Sequence, residues 1–261
     1  ETILTIQAMK TDNLSCPVCG DHCTLFDVVD LNKSCEEMHG LKLPLSGIPV
    51  CYVQCGGCGF CFAPELYQWS REEFSKYIYN EQYVQVDPDC LESRPKNNAN
   101  RLQSMFPALP TSVRHLDYGG GNGLLAKTLG DAGWNSTSFD PFVNTDADIG
   151  QLGQFDLITV FEVFEHVPDV QGLMSNLKGA LASNGVILLT TLLSDANIQP
   201  GQRLSWWYAS PRNGHISLFS RKSLTLLAKT RDLRIGHFSK DFHVMLKEVP
   251  AWAGHLFAGQ K

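Results

Sequence analysis

The chain contains 261 residues, of which 43% are hydrophobic and 18% are charged, and its formal net charge is -6. This length and composition exclude a fibrous or disordered chain and allow one α/β domain of about 150 residues beside a smaller module. The 21 Lys and Arg residues are dispersed along the chain, which disfavours a nucleic acid partner because phosphate binding needs clustered cations.

Residues 1–68 form the first predicted module and contain two C-x-x-C pairs, each followed by glycine, with 35 residues between the pairs. Two thiolates three positions apart on a tight turn can point at one tetrahedral centre, so we predict a closed structural zinc site. The predicted ligands are Cys16, Cys19, Cys55 and Cys58. Buried free cysteines are the alternative interpretation. Cys23 with His22 could also replace one of the four ligands. We expect a β hairpin here, with a loop inserted around residues 32–46.

Residues 69–110 are predicted to be a helical connector. Ser70 and Glu73 have the spacing of a capping box that opens one helix, and a second helix is expected over residues 97–105, ending before Pro107. Residues 77–83 between these helices are dense in tyrosine. These rings either pack the connector onto the main domain or contribute to a ligand site.

The third predicted domain spans residues 111–261, where short apolar strands alternate with amphipathic helices, as in a parallel sheet covered on both faces. The predicted strands lie near 113–117, 135–139, 155–161, 185–191, 232–238 and 242–248. Helices are expected at 124–129, before Asn184, and at 221–229 after the capping residue Ser220. The second and third of these strands are so close in sequence that residues 143–153 between them leave little room for a complete helix.

The glycine-rich stretch after the first of these strands is the strongest functional signal. The strand ends in Asp117, and Gly119, Gly121 and Gly123 follow before a helix begins, which is typical of a loop that binds a nucleotide cofactor. Taken alone, the glycines also satisfy the dinucleotide pattern, with Asp140 where a ribose-binding acid belongs. A nicotinamide-dependent oxidoreductase is therefore the alternative interpretation.

Four segments in chain order resemble the class I S-adenosylmethionine-dependent methyltransferases. They are Leu116–Gly123, Ser138–Pro141, Phe155–Asp169 and Leu181–Thr191. The resemblance covers most of residues 111–248 and implies a Rossmann-like, seven-stranded methyltransferase sheet. It further implies that the protein transfers a methyl group from S-adenosylmethionine to a small-molecule or carbohydrate-linked acceptor. The zinc module and the tyrosine-rich segment are similar to those of zinc-containing sugar C-methyltransferases, in which such a segment caps the cofactor.

The same resemblance implies where the cofactor binds. Asp117 and the glycine loop would hold the methionine end, Asp140 the ribose, and Phe161 or Glu162 the far side of the methionine moiety. Asp146 would bind the adenine amine, although a solvated loop carboxylate is the alternative for this residue. The full predicted set is Asp117, Tyr118, Gly119, Gly121, Gly123, Asp140, Asp146, Phe161 and Glu162.

Three residues are candidates for catalysis. His215 lies in an aromatic, glycine-containing loop after the fifth strand of the resemblance, where we expect it to face the acceptor; a structural role is equally open. Glu165 and His166 belong to an E-x-x-E-H loop similar to one that ubiquinone-pathway O-methyltransferases use with a divalent ion. Glu162, Glu165 and His166 could bind such an ion, but we favour a role in supporting the cofactor pocket.

No apolar run approaches the roughly 20 residues that span a bilayer, and residues 1–10 lack the layout of a signal peptide. We therefore expect a cytoplasmic protein without a membrane partner, which also suits metal-binding cysteines in a reducing compartment. A non-enzymatic module, in which the zinc knuckles dock a protein partner, is a third hypothesis.

Overall fold

The computed structural model describes residues 14–144 and 148–258. Its main sheet has six strands in the order β5-β4-β6-β7-β10-β9. The first four are parallel, and β10 runs antiparallel to both of its neighbours. The strands are β4 (Arg114–Tyr118), β5 (Asn135–Phe139), β6 (Phe155–Phe161), β7 (Leu181–Thr190), β9 (Arg234–His237) and β10 (Phe242–Leu246).

Helices cover the sheet because its central strands are apolar on both faces. In β6, for example, Leu157, Ile158 and Val160 are fully buried, as expected for a parallel sheet with helices on each side. The helices are α1 (Arg71–Tyr77), α2 (Tyr83–Val86), α3 (Ser93–Met105), α4 (Leu124–Asp131), α5 (Val170–Ala180) and α6 (Arg221–Lys229). Among the residues described, no helix combines the length and apolar character needed to cross a membrane.

A second, antiparallel sheet contains the N-terminal module. Its strand order is β1-β2-β3-β8, with β1 at Cys23–Asp30, β2 at Pro49–Cys55, β3 at Cys61–Phe62 and β8 at Ser217–Leu218. The predicted hairpin with an inserted loop is thus present as β1 and β2. Because β3 pairs with β8, a strand from the C-terminal part of the chain completes this sheet and joins the module to the main domain. The domain boundaries themselves stay a prediction.

Local signals gave several element boundaries correctly. The capping box forms, since the Ser70 side chain accepts from the Glu73 N–H and the Glu73 side chain accepts from the Ser70 N–H. Helix α6 has the predicted bounds, and the Ser220 side chain caps it. Helix α3 begins four residues earlier than predicted, with Pro95 in its first turn, where a missing N–H costs nothing.

The predicted count of seven strands is wrong for the described part of the chain, whose main sheet has six. The segment between β5 and β6 is too short for another strand and its crossover helix. It contains a turn after Asp140 and a 3-10 helix at Ile149–Leu152. The predicted α/β architecture, a mainly parallel sheet covered by helices, is confirmed.

Candidate active site

A cavity of about 740 Å³ lies at the carboxyl ends of β4, β5 and β6. These three strands are neighbours, and ligands of open α/β sheets bind outside the carboxyl ends of adjacent strands. The volume falls within the roughly 300–1,000 Å³ of small-molecule sites. Its walls include Gly119–Asn122, Asp140–Val143, Phe161–Val163 and the connector residues Trp69, Phe74, Tyr79 and Tyr83.

Gly119 and Gly120 pack so closely against their neighbours that a side chain would not fit at either position. Gly119 and Gly121 have φ angles of 76° and 53°, in the left-handed region that glycine adopts without a steric cost. A Cβ on Gly120 would collide with Ser138 Oγ and lie 2.6 Å from Asp117 Oδ2. The three glycines therefore present backbone without side chains at the cavity wall. Gly123 does not line the cavity; it precedes α4 as the N-cap, with a φ of 75°.

Asp140 ties the end of β5 to the glycine loop. Its Oδ2 accepts the Gly121 N–H at 2.9 Å, and its Oδ1 accepts the Phe142 N–H at 2.8 Å. Both bonds hold the carboxylate at the cavity wall. Asp146, the predicted contact to the adenine amine, lies outside the described residues.

Asp117 is buried at the end of β4, with 4% of its surface exposed. Burial raises the pKa of its carboxyl group, a hydrogen bond from Thr159 at 2.9 Å lowers it, and the negative charge of Asp140 raises it, so that the pKa is about 7. The adjacent Tyr118 also lines the cavity, and its hydroxyl accepts a long hydrogen bond of 3.5 Å from Asn176.

Glu162 follows Phe161 at the end of β6, and both line the cavity. Glu162 has a φ of 54°, a conformation that costs a non-glycine residue roughly 1–3 kcal/mol. Thr190 on the neighbouring strand holds it there, since the Glu162 N–H donates to Thr190 Oγ1 at 2.9 Å and the Thr190 hydroxyl donates to Glu162 Oε1 at 2.8 Å. The strained backbone thus keeps this carboxylate at the wall.

His166 lines the cavity next to Tyr79. Its Nδ1 is 3.2 Å from the Tyr79 hydroxyl, so Nε2 is the ring nitrogen left free of this bond. Burial lowers the pKa of His166 to about 4, and the ring is therefore neutral near pH 7. Gly214 lies against the Tyr79 and His166 side chains, and a larger residue would not fit there. A Cβ at this position would lie 2.8 Å from the Tyr79 oxygen and 3.0 Å from His166 Nδ1.

The expectation that His215 faces the acceptor is wrong. His215 is 6% exposed and is absent from the cavity wall. Its Nδ1 is 2.8 Å from the Tyr208 carbonyl oxygen, and its ring centroid is 4.9 Å from that of His166. The aromatic loop around it folds inward against the second sheet, as shown by the Tyr52 hydroxyl donating to the His215 carbonyl at 2.7 Å. His215 thus lies behind His166.

Glu165 is also buried away from the cavity. Its Oε1 accepts a hydrogen bond from the Tyr208 hydroxyl at 2.6 Å, while its Oε2 has no partner among the described residues. Burial raises the pKa of this carboxyl group well above its usual range. Near this residue, the ligand atoms of Glu165, His166 and His215 lie within 4.8 Å of one another. The alternative ion-binding set of Glu162, Glu165 and His166 does not come together in this way.

The four predicted zinc ligands come together. Their sulfur atoms all lie within 4.8 Å of one another, with 3.6 Å between Cys16 and Cys58 and 3.4 Å between Cys19 and Cys55. Four sulfurs at 2.3 Å from one tetrahedral zinc would be about 3.8 Å apart, so this donor set fits the ion. Cys23 is buried outside the cluster, and His22 is exposed.

Several residues at this site belong to no motif that can be recognised in the sequence. Arg94 on α3 forms two hydrogen bonds with Asp87, one of them 2.9 Å long, and both residues line the cavity. Trp69 contributes an indole ring, and Thr159 reaches Asp117 from the neighbouring strand. These residues come from separate segments, and only the tertiary fold brings them to the site.

The chain belongs to the methyltransferase domain family. The family model matches residues 91–237, which include the glycine loop, Asp140, Glu162 and His166. The match favours the methyltransferase interpretation over the nicotinamide oxidoreductase that the glycine pattern alone allowed. No curated protein matches the chain.

Solved structures similar to this chain include an O-methyltransferase family protein from Burkholderia thailandensis, at 12% identity and a TM-score of 0.49, covering 69% of this chain and 63% of that one. The pyocyanin biosynthetic protein PhzM matches at 12% identity and a TM-score of 0.46, over 66% of this chain and 61% of its own. Magnesium protoporphyrin IX methyltransferase from Synechocystis PCC 6803, with bound SAH, matches at 12% identity and a TM-score of 0.41, over 68% and 92%. The chain spans about three fifths of the first two proteins.

Proposed function

We propose that the protein transfers a methyl group from S-adenosylmethionine to a small-molecule acceptor, with both molecules held in the cavity of about 740 Å³. The observation that carries this proposal is the bare glycine loop between Asp117 and Asp140, at the ends of two adjacent strands. Because Gly120 has no side chain, the loop backbone packs there directly against Ser138 and Asp117. When bound, the cofactor supplies an activated methyl group, so the protein has mainly to position the reactants.

The cavity carboxylates suit the parts of this cofactor. Asp140 would accept hydrogen bonds from the ribose hydroxyls, as its position next to the glycine loop allows. Asp117 and the loop would hold the methionine end, with Glu162 and Phe161 on its far side. The adenine contact assigned to Asp146 stays part of this proposal.

His166 is the residue we propose to face the reacting atom of the acceptor. Its ring is neutral near pH 7 and its Nδ1 is paired with the Tyr79 hydroxyl. Nε2 would take the acceptor's proton when Nδ1–H donates to the Tyr79 oxygen, and would donate to the acceptor when Nδ1 accepts from the Tyr79 hydroxyl. Glu165 and His215 would support this ring from behind rather than touch the acceptor. Carbohydrate-linked acceptors belong to the proposal as one class of small molecule.

We also propose that Cys16, Cys19, Cys55 and Cys58 hold one structural zinc ion. Four thiolate ligands leave no open coordination position, so the ion would stabilise the second sheet and take no part in methyl transfer. The cluster lies in the same apolar core as strands of the main sheet. Losing the ion would therefore weaken the whole fold.

A calorimetric titration with S-adenosylhomocysteine tests the cofactor assignment. Wild type should bind one molecule per chain, and Asp140→Ala should bind about tenfold or more weakly, because it loses charge-assisted hydrogen bonds to the ribose. Asp131→Ala is the matched control, since Asp131 is exposed on α4 and does not line the cavity. Binding of NADH instead of S-adenosylhomocysteine would contradict the proposal.

A further inference from the structure

One wall of the cavity is built from aromatic rings of the connector. Trp69 and Phe74 have ring centroids 5.5 Å apart, Phe74 and Tyr79 6.4 Å, and Tyr79 and Tyr83 5.2 Å. All four rings line the cavity. They therefore form a continuous apolar surface, which we term the aromatic wall.

A fifth ring extends this surface from the sheet side. Phe142 follows β5, and its ring centroid is 5.8 Å from that of Tyr79. Arg71 holds Phe142 in place, because its guanidinium lies 5.5 Å from the ring centroid and donates to the Pro141 carbonyl at 2.5 Å. Half of Phe142 is nevertheless exposed, which leaves apolar ring surface open at the mouth of the cavity.

The two tyrosine hydroxyl groups along the aromatic wall are already paired within the protein. The Tyr79 hydroxyl is bonded to His166 Nδ1, and the Tyr83 hydroxyl lies 3.3 Å from both Asp87 Oδ2 and the Asn213 carbonyl. Asp87 is in turn paired with Arg94. The tyrosines therefore offer ring carbons to a ligand rather than free hydroxyl groups.

We infer that the acceptor is a planar aromatic molecule that stacks on the aromatic wall with its reactive group towards His166. This inference rests on the proposed function. Ring pairs of this kind contribute about 0.5–1.5 kcal/mol each beyond the area they bury. A sugar would instead place several hydroxyl groups against carbon, and each buried, unpaired hydroxyl costs about 1–3 kcal/mol.

A matched set of probes tests the inference by calorimetry on protein saturated with S-adenosylhomocysteine. The probes are 2-naphthol, its saturated counterpart trans-2-decalol, and methyl glucoside as a sugar without an aromatic ring. We expect 2-naphthol to bind about tenfold more tightly than trans-2-decalol and more tightly than methyl glucoside. Equal binding of the two alcohols, tighter binding of methyl glucoside, or no binding of 2-naphthol would each overturn the inference.

Variants of Tyr79 separate its ring from its hydroxyl group. Tyr79→Leu and Tyr79→Phe both lose the hydroxyl group that pairs with His166, so the difference between them measures the ring alone. The Leu variant should bind 2-naphthol about threefold to tenfold more weakly than the Phe variant. If a Tyr79 variant does not fold, Trp69→Leu and Trp69→Phe provide a second comparison of an aliphatic with an aromatic side chain. Equal losses in the Leu and Phe variants would overturn the inference.

The two proposals fail in different ways. If wild type does not bind S-adenosylhomocysteine, the proposed function fails. If it binds S-adenosylhomocysteine normally but does not prefer 2-naphthol, only the aromatic acceptor is wrong.

Discussion

The hydroxyl group of Thr159 on β6 donates to the buried carboxylate of Asp117 on β4 at 2.9 Å. The same oxygen is 3.0 Å from Nε2 of His115, whose Nδ1 is 2.7 Å from Ser136 Oγ on β5. Burial lowers the pKa of His115 to about 3, so the ring is neutral. With the single Thr159 proton directed at Asp117, Thr159 must accept from His115 Nε2–H, and His115 Nδ1 accepts from Ser136. Three neighbouring strands thus orient one carboxylate.

Thr159→Val should weaken S-adenosylhomocysteine binding near pH 7. The Thr159 hydrogen bond opposes the rise in the pKa of Asp117, so its loss leaves less of the carboxylate ionised to meet the cofactor's ammonium group. Titrations from pH 6 to 9 should show the rise in affinity displaced upwards by about one pH unit or more.

Thr159→Ser is the matched control for this substitution because it keeps the hydroxyl group. The other nearby ionisable groups are unchanged: Asp140 after β5, Glu162 after β6 and the neutral His115. Identical pH profiles for the Val and Ser variants would show that the hydrogen bond does not set the state of Asp117.

Asp117→Asn should stabilise the protein at neutral and alkaline pH while it weakens cofactor binding. Burial raises the pKa of Asp117 from the usual value near 4 to about 7. The folded state therefore favours the protonated form, and wild type loses stability as the pH rises from about 4 to above 7. The amide cannot ionise, so the difference in Tm between variant and wild type should grow across this window. A constant difference from pH 4 to 8 would contradict the assignment.

Gly120→Ala should abolish binding of S-adenosylhomocysteine, because its methyl group would collide with Ser138 Oγ and crowd Asp117. Gly130→Ala is the matched control. Gly130 is exposed in α4 with nothing within 4 Å of an added Cβ, so this substitution should stabilise the helix by roughly 0.5–1 kcal/mol. Calorimetry and thermal unfolding of both variants measure these effects, and normal binding by Gly120→Ala would show that the loop is not tightly packed in solution.

Elemental analysis should find one zinc ion per chain. Cys55→Ser should lose the ion and unfold at a lower temperature, since binding of a structural metal is folding free energy. Cys23→Ala should retain the ion, because Cys23 lies beside the four-thiol cluster and not within it. A folded wild-type protein without metal, or loss of zinc in Cys23→Ala, would contradict the predicted ligand set.

The features predicted correctly from the sequence are those with a local cause. The cysteine pairs, the capping box at Ser70 and the glycine loop each place chemistry within a few neighbouring residues, so their spacing predicts their geometry. His215 was assigned wrongly because its surroundings come from distant segments: Tyr52 from β2 contacts its carbonyl, and the Tyr208 carbonyl binds its ring.

Other parts of the site depend on tertiary structure in the same way. The hydrogen bonds from His115 to Ser136 and Thr159 follow from the register of three parallel strands, which no local pattern encodes. The ion pair of Arg94 with Asp87 and the aromatic wall likewise form only when the connector folds over the sheet. A seventh strand was expected from the family resemblance, and the described residues between β5 and β6 do not form one.

A crystal structure of the protein with S-adenosylhomocysteine would show where the cofactor binds. We predict that the ligand occupies the cavity at the carboxyl ends of β4, β5 and β6, with its ribose hydroxyls hydrogen bonded to Asp140. Its sulfur atom should face the space between His166 and the aromatic wall. A ligand bound outside this cavity, or a ribose that does not contact Asp140, would contradict the proposed function.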